Sequence, residues 1–314
     1  WGVISVLSKQ YSIEDVGRYF FALALAAPVF LFFSFKLPTL AVTKEAGSSI
    51  QAALWATRLL ASTSALVVAV LFAAVFFSNE VSVVLVAAIC VFKLLEHFDE
   101  LESARYQAKM DFRSVFKIKV QRGFLYFALV SSATFVFESI TYALVAATAG
   151  YMLLWFYLNR ALMNGVRWSL FGVKQVVLLG WPLGLSVAVS SLVVSATRVY
   201  VGVALGVAAL AVFGAIGYAI AAFTLLIAAL GQYYLPAFVG AKSHPHRFHS
   251  LLRSSQAIVF LAGFLGALVS GLIGDFILRI AYNEDVAKHS SGLTIIIIAT
   301  MFKANHTCYR VLDT

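Results

Sequence analysis

The 314-residue chain is 62% apolar and only 12% charged, and its mean hydropathy is +0.93. Soluble domains are about half apolar and about a quarter charged, so this composition excludes an ordinary water-soluble fold and indicates an all-α membrane protein. The net charge of +9 would suggest a nucleic-acid partner in a soluble chain, but in a membrane chain basic residues mark cytoplasmic loops, and we expect no nucleic-acid partner.

Apolar segments bounded by charge, Gly or Pro predict nine to ten membrane spans, each needing about 20 residues. The first segment ends near Ser8 and is too short for a span, so we expect the chain, which opens at Trp1, to be an internal fragment of a longer protein. Pro38 is expected to close span 2. Spans 2 to 10 are predicted at residues 16–37, 52–77, 81–109 (polar after residue 96), 115–137, 140–158, 176–203, 210–239, 257–280 and from residue 292 onward.

Lysine and arginine concentrate in alternate loops of this plan. The turns at residues 78–80 and 137–139 carry neither, whereas the connections between spans 2 and 3, 4 and 5, 6 and 7, and 8 and 9 are basic. Because positive charge holds loops on the cytoplasmic side, these four connections are predicted to be cytoplasmic. Their basic residues are Lys36, Lys44, Arg58, Lys93, Arg105, Lys109, Arg113, Lys117, Lys119, Arg122, Arg160, Arg167, Lys174, Lys242, Arg247 and Arg253.

Three segments carry a resemblance to a known family. They are LSKQYSIEDVGRY at residues 7–19, GWPLGL at residues 180–185, and ATRVYVG at residues 196–202, which is followed by Leu205 and Gly206. Together they resemble the Wzx-type polysaccharide flippases of the multidrug/oligosaccharidyl-lipid/polysaccharide exporter superfamily. The chain departs from the family at Thr197, where members often have Asp, which puts an acidic role there in doubt.

The resemblance implies a two-lobed bundle around a central cavity, with an N-lobe over residues 1–165 and a partial C-lobe over residues 166–314. A weak internal repeat between residues 14–20 and 208–214 also suggests two related halves, although chance similarity of small and apolar residues is an alternative. The family moves undecaprenyl-diphosphate-linked repeat units of O-antigen or capsule across the bacterial inner membrane. The implied partners are this lipid-linked oligosaccharide, membrane lipids, a polysaccharide polymerase and a chain-length regulator.

Charged residues inside or at the edge of a span are costly, and by default they are functional candidates. The candidates for a cationic cavity that binds diphosphate or acidic sugars are Arg58, Arg122, Arg198, Arg18 and Lys36. The alternative for each is an interfacial side chain that reaches the membrane surface.

Acidic candidates for proton or sodium coupling are Glu96 and Asp275. The alternative for both is a simple ion pair, of Glu96 with Lys93 and of Asp275 with Arg279. The acidic stretch at residues 96–102 is expected to emerge from the bilayer, with its charges toward solvent and lipid headgroups. His244, His246 and His249 are expected to lie in a solvated loop rather than bind metal, and Cys90 and Cys308 form no CxxC pattern. We therefore expect no metal site and no cofactor.

The chain contains no GxSxG, HExxH or P-loop lysine motif, which argues against an enzyme and against an ATP-driven pump. A flippase that works by alternating access is the favoured function. One alternative is a multidrug or small-molecule antiporter of the same superfamily, which an acidic membrane interior would support. Another is a membrane polysaccharide polymerase, which would need a large outer loop, and the predicted outer loops are short.

Overall fold

The computed structural model describes residues 2–43, 49–165, 169–218, 220 and 245–310. Within these ranges every regular element is a helix, which confirms the prediction of an all-α polytopic membrane protein. The helices are α1 (Gly2–Gln10), α2 (Ile13–Phe33), α3 (Leu37–Thr43), α4 (Ser49–Phe76), α5 (Val83–Ala108), α6 (Phe112–Val136), α7 (Ile140–Gly165), α8 (Val173–Ala204), α9 (described over Val207–Tyr218), α10 (Pro245–Ala281), α11 (Glu284–Ala287) and α12 (Ser290–Arg310).

Five stretches of the described chain are long and apolar enough to cross a membrane. A helix suits this task because it satisfies its own backbone groups where no water is present. The count of nine to ten spans stays a prediction. The five stretches are Ile13–Val42, Ala52–Phe76, Ile140–Arg160, Val173–Ala204 and Ser250–Ala281.

The second predicted span is interrupted rather than continuous to residue 37. Phe35 and Lys36 both have left-handed backbone conformations, with φ of 45° and 49°, and two such residues in succession end a right-handed helix. Pro38 then lies in the first turn of α3, where a backbone N–H would have no partner within the helix, so proline is tolerated there. The expectation that Pro38 closes the span was therefore wrong.

The chain divides into two compact units. The larger comprises Gly2 and the described residues of Gln10–Ala211, and the smaller comprises Val3–Lys9 and the described residues of Val212–Thr314. The predicted boundary between residues 165 and 166 falls inside the larger unit. The assignment of lobes stays a prediction.

In the larger unit, α2 packs closely against α8 through glycines. A Cβ atom at Gly184 would overlap the carbonyl oxygen of Phe32, and one at Gly180 would lie 2.6 Å from the carbonyl oxygen of Phe35. Small residues let membrane helices approach at backbone distance, where dispersion contacts stabilise the pair. On the neighbouring α5, Cys90 is fully buried.

In the smaller unit, α10 packs against α12. The Ser270 and Thr294 hydroxyls lie 2.9 Å apart across this pair. Gly263 allows the close approach, because a Cβ atom there would lie 2.5 Å from Met301 Cγ. Asn283 caps α11 by accepting from the Val286 N–H.

Candidate functional site

Helices α5, α6 and α7 bring a cluster of polar side chains together inside the larger unit. Asp99 and Glu102 lie three residues apart on α5 and therefore on one face of that helix. They are only 6% and 8% exposed. The expectation that the charges of residues 96–102 face solvent and lipid headgroups was wrong for these two carboxylates, because they face α6 and α7.

Asp99 accepts two hydrogen bonds from α7. Tyr151 donates through its hydroxyl at 2.8 Å, and Trp155 donates through Nε1 at 2.7 Å. The donors are four residues apart, so successive turns of α7 present them to the same carboxylate. Both carboxylate oxygens of Asp99 are thus satisfied, as a buried anion requires.

Arg122 of α6 lies between the two carboxylates. Its Nε is 3.5 Å from Asp99 Oδ1, its Nη2 is 3.9 Å from Glu102 Oε2, and Nη2 donates to Asn159 Oδ1 at 2.8 Å. Glu102 Oε2 accepts no hydrogen bond from any residue that the structure describes. Two carboxylates therefore compensate the single charge of Arg122. Its predicted role as a substrate cation stays a prediction.

Arg58 of α4 has a different environment. Its side chain is completely buried, and Nε, Nη1 and Nη2 have no hydrogen-bond partner within the described part of the chain. The Glu100 carboxylate acts on it electrostatically without a hydrogen bond. His97 of α5 lies nearby, with its Nδ1 3.3 Å from the hydroxyl of Ser62 on α4. A snorkelling arginine would hold its guanidinium at the surface, and Arg58 does not.

The other cationic candidates are more accessible. Arg18 is exposed and pairs with Asp15 at 3.0 Å, and Lys36 lies half-buried in the turn between α2 and α3. Arg198 is half-buried on α8. The structure does not bring these three to Arg58.

The acidic candidates form the ion pairs that the alternative interpretation predicted. Glu96 accepts from Lys93 Nζ at 2.7 Å, and Asp275 accepts from Arg279 Nη2 at 3.2 Å. Asp275 and Arg279 are both more than half exposed, so their coupling energy is small. Ion coupling by Glu96 or Asp275 stays a prediction.

An apolar cleft of about 550 Å³ opens between α2, α4 and α8. Its volume lies in the range of small-molecule sites. Ser195 is the polar residue of a lining that is otherwise aliphatic and aromatic. The lining residues are Ala24, Leu25, Pro28, Val29, Phe32, Phe33, Val68, Phe72, Phe77, Ala188, Leu192, Ser195, Ala196 and Val199.

The described residues contain no group of three or more His, Cys, Asp and Glu side chains arranged to hold a metal ion. His246 is exposed, whereas His244 and the side chains of His249 and Cys308 lie outside the described part. The expectation of no metal site stays a prediction for the whole chain.

No family model and no solved structure matches the chain. It is similar to the capsular polysaccharide biosynthesis protein CapF of Staphylococcus aureus. The two are 22% identical over 315 residues, which covers 96% of this chain and 77% of that protein.

Proposed function

We propose that the protein translocates an undecaprenyl-diphosphate-linked oligosaccharide across the bacterial inner membrane for polysaccharide biosynthesis, with its basic loops in the cytoplasm. The proposal is supported by the polytopic helical fold and by the similarity to a capsular polysaccharide biosynthesis protein over nearly the whole chain. Such a substrate has a long hydrocarbon tail and an anionic head. The site must therefore combine an apolar surface with positive charge.

The observation that carries the proposal is the buried guanidinium of Arg58, which has no hydrogen-bond partner among the described residues. A buried charge without hydrogen bonds is strongly unfavourable, and Glu100 acts on this one only electrostatically, so acceptor oxygens supplied by a ligand would stabilise it. A diphosphate is suited to it, because its oxygens accept bidentate hydrogen bonds from the guanidinium fork. Arg122 is less suited, since Asp99 and Glu102 already compensate its charge.

Arg58 has no contact with solvent, so a headgroup can reach it only after α4 and its neighbours separate. Alternating access supplies such an opening, because the site is exposed to each side in turn and closed between. The closed arrangement leaves Arg58 without a hydrogen-bond partner among the described residues. Substrate binding would therefore favour the open state, since it adds hydrogen bonds that the closed state lacks.

The test is the sidedness of lipid-linked glycan in cells that lack the gene and carry a variant copy. We expect Arg58→Ala to reduce the amount of repeat units in the outer leaflet at least tenfold. Arg58→Lys should restore part of the loss, because lysine keeps the positive charge but lacks the bidentate guanidinium. Arg253→Ala, which removes an exposed arginine of α10, is the control and should export normally. Normal export by Arg58→Ala at equal protein abundance would contradict the proposal.

A second candidate function is a cation-coupled antiporter of the same superfamily. The buried Asp99 and Glu102 favour it, because they leave the α5–α6–α7 cluster with one more negative than positive charge when all three groups are ionised. Proteoliposomes with an imposed proton or sodium gradient distinguish the two functions. Drug or ion exchange without any glycan movement would support the antiporter and contradict the flippase.

A further inference from the structure

The start of α6 presents an unusual exposed surface, here called the α6 basic face. Between residues 109 and 121 the sequence has four basic residues and one acidic residue. The four cations, Lys109, Arg113, Lys117 and Lys119, are all exposed. The acidic residue, Asp111, caps α6 by accepting from the Ser114 N–H at 3.1 Å and from the Ser114 hydroxyl at 2.6 Å. The surface is therefore strongly positive.

Large apolar side chains lie among these cations. Phe112, Phe116, Val120 and Phe124 follow one another at intervals of four residues, which places them along one side of α6. They are 54%, 69%, 51% and 71% exposed. Farther along α6, Tyr126 is buried and stacks on Phe92 of α5 with ring centroids 3.7 Å apart. The apolar side thus has no cover within the described chain.

We infer that the α6 basic face binds phospholipids with anionic headgroups in the adjacent membrane leaflet. The exposed apolar residues span about 18 Å of helix, at a rise of about 1.5 Å per residue. That length is enough to run from the headgroup region into the hydrocarbon. The phenylalanines contact acyl chains, while Lys117 and Arg113 extend toward the phosphates.

The combination of exposed cations and exposed apolar side chains favours an anionic phospholipid over other ligands. A soluble polyanion would pair with the cations but leave the phenylalanine side chains in water. An uncharged lipid would cover the phenylalanines but offer no net charge to the cations. A phospholipid with a net negative headgroup satisfies both parts at once. This inference does not depend on the proposed substrate, because it concerns the outer surface of α6 rather than Arg58.

The test is native mass spectrometry of the purified full chain in detergent, with phosphatidylglycerol or phosphatidylcholine added. We expect phosphatidylglycerol to bind at least tenfold more tightly than phosphatidylcholine. In Arg113→Gln/Lys117→Gln this preference should fall to less than threefold. The control variant Lys9→Gln/Lys288→Gln removes two exposed charges elsewhere and should keep the preference.

A second variant separates the contribution of the apolar side chains from that of the cations. Phe116→Asn keeps all four cations, so it should weaken the binding of both lipids while leaving the preference for phosphatidylglycerol intact. Equal binding of the two lipids by the unmodified chain would overturn the inference. A loss of preference in Lys9→Gln/Lys288→Gln as large as that in Arg113→Gln/Lys117→Gln would also overturn it, as would complete displacement of the lipid by soluble polyglutamate.

Discussion

The two carboxylates that flank Arg122 differ in how well they are satisfied. Asp99 accepts hydrogen bonds from Tyr151 and Trp155, whereas Glu102 Oε2 accepts none from the described residues. Removing the charge of Asp99 is costly, because Arg122 loses its nearer carboxylate, at 3.5 Å, and two buried donors lose a charged acceptor. Removing the charge of Glu102, at 3.9 Å, leaves Arg122 with its nearer carboxylate still in place. The two substitutions should therefore have unequal effects on stability.

We expect Asp99→Asn to lower the free energy of unfolding by about 3 kcal/mol, and Glu102→Gln to change it by about 1 kcal/mol or less. The measurement is thermal or denaturant unfolding of the two purified variants in the same detergent. Equal destabilisation by both variants would mean that the hydrogen bonds from α7 contribute little. A larger loss for Glu102→Gln would contradict the assignment of Asp99 as the main partner of Arg122.

Part of this site was predictable from the sequence. Arg58 was a candidate because it lies within an apolar run, and Arg122 because it lies deeper in its predicted span than the basic run before it, since intramembrane arginines are rare and costly. The partners of Arg122 were missed, because Asp99 and Glu102 belong to a stretch whose charges are typical of a solvated helix end. A signal was available on α7, where residues with hydrogen-bonding side chains recur every four positions from Tyr151 onward. Which helix opposes that face depends on packing, and no single helix encodes it.

At the scale of helices, most boundaries follow from apolar runs. The predicted spans at residues 52–77 and 176–203 correspond closely to α4 and α8. The break after α2 was not predictable in this way, because residues 16–37 are apolar throughout apart from Arg18, Lys36 and a few small polar groups. In the structure, the Phe35 carbonyl lies against Gly180 of α8. The helix breaks where the backbone meets a neighbouring helix, and hydrophobicity alone does not report such a contact.

The contact of α2 with α8 makes a sharp prediction about Gly184. Its hypothetical Cβ overlaps the Phe32 carbonyl oxygen, so Gly184→Ala must push two backbones apart. We expect a loss of about 1–3 kcal/mol in the free energy of unfolding, as for other overpacked sites. The measurement is the thermal unfolding midpoint of the purified variant.

Gly271→Ala is the matched control for that experiment. Gly271 is also in a long apolar helix, α10, but a Cβ there meets no heavy atom within 4 Å. Because alanine is the better helix former by about 1 kcal/mol, this variant should be neutral or slightly stabilised. Unchanged stability in Gly184→Ala would show that α2 and α8 do not pack at backbone distance.

At the scale of the whole molecule, the distribution of charge governs orientation. The net charge of +9 is concentrated in alternate loops, and the turn at residues 78–80 has no Lys or Arg. Orientation in the membrane depends on this asymmetry and not on the packing of helices. The fold class was therefore predictable from composition, whereas the sidedness of each loop needs a direct measurement in cells.

The burial of Cys90 makes that measurement practical. Because Cys90 is fully buried, a maleimide reagent should not reach it in the folded protein, and Cys308→Ser removes the other thiol. Into this background we would place Ser78→Cys or Met110→Cys, both at exposed positions. A membrane-impermeant maleimide applied to intact spheroplasts should label Ser78→Cys, and should label Met110→Cys only after the membrane is opened. Labelling of Met110→Cys in intact spheroplasts would contradict the predicted topology. Because the remaining native thiol is inaccessible, any label comes from the introduced cysteine and so reports the orientation of the protein.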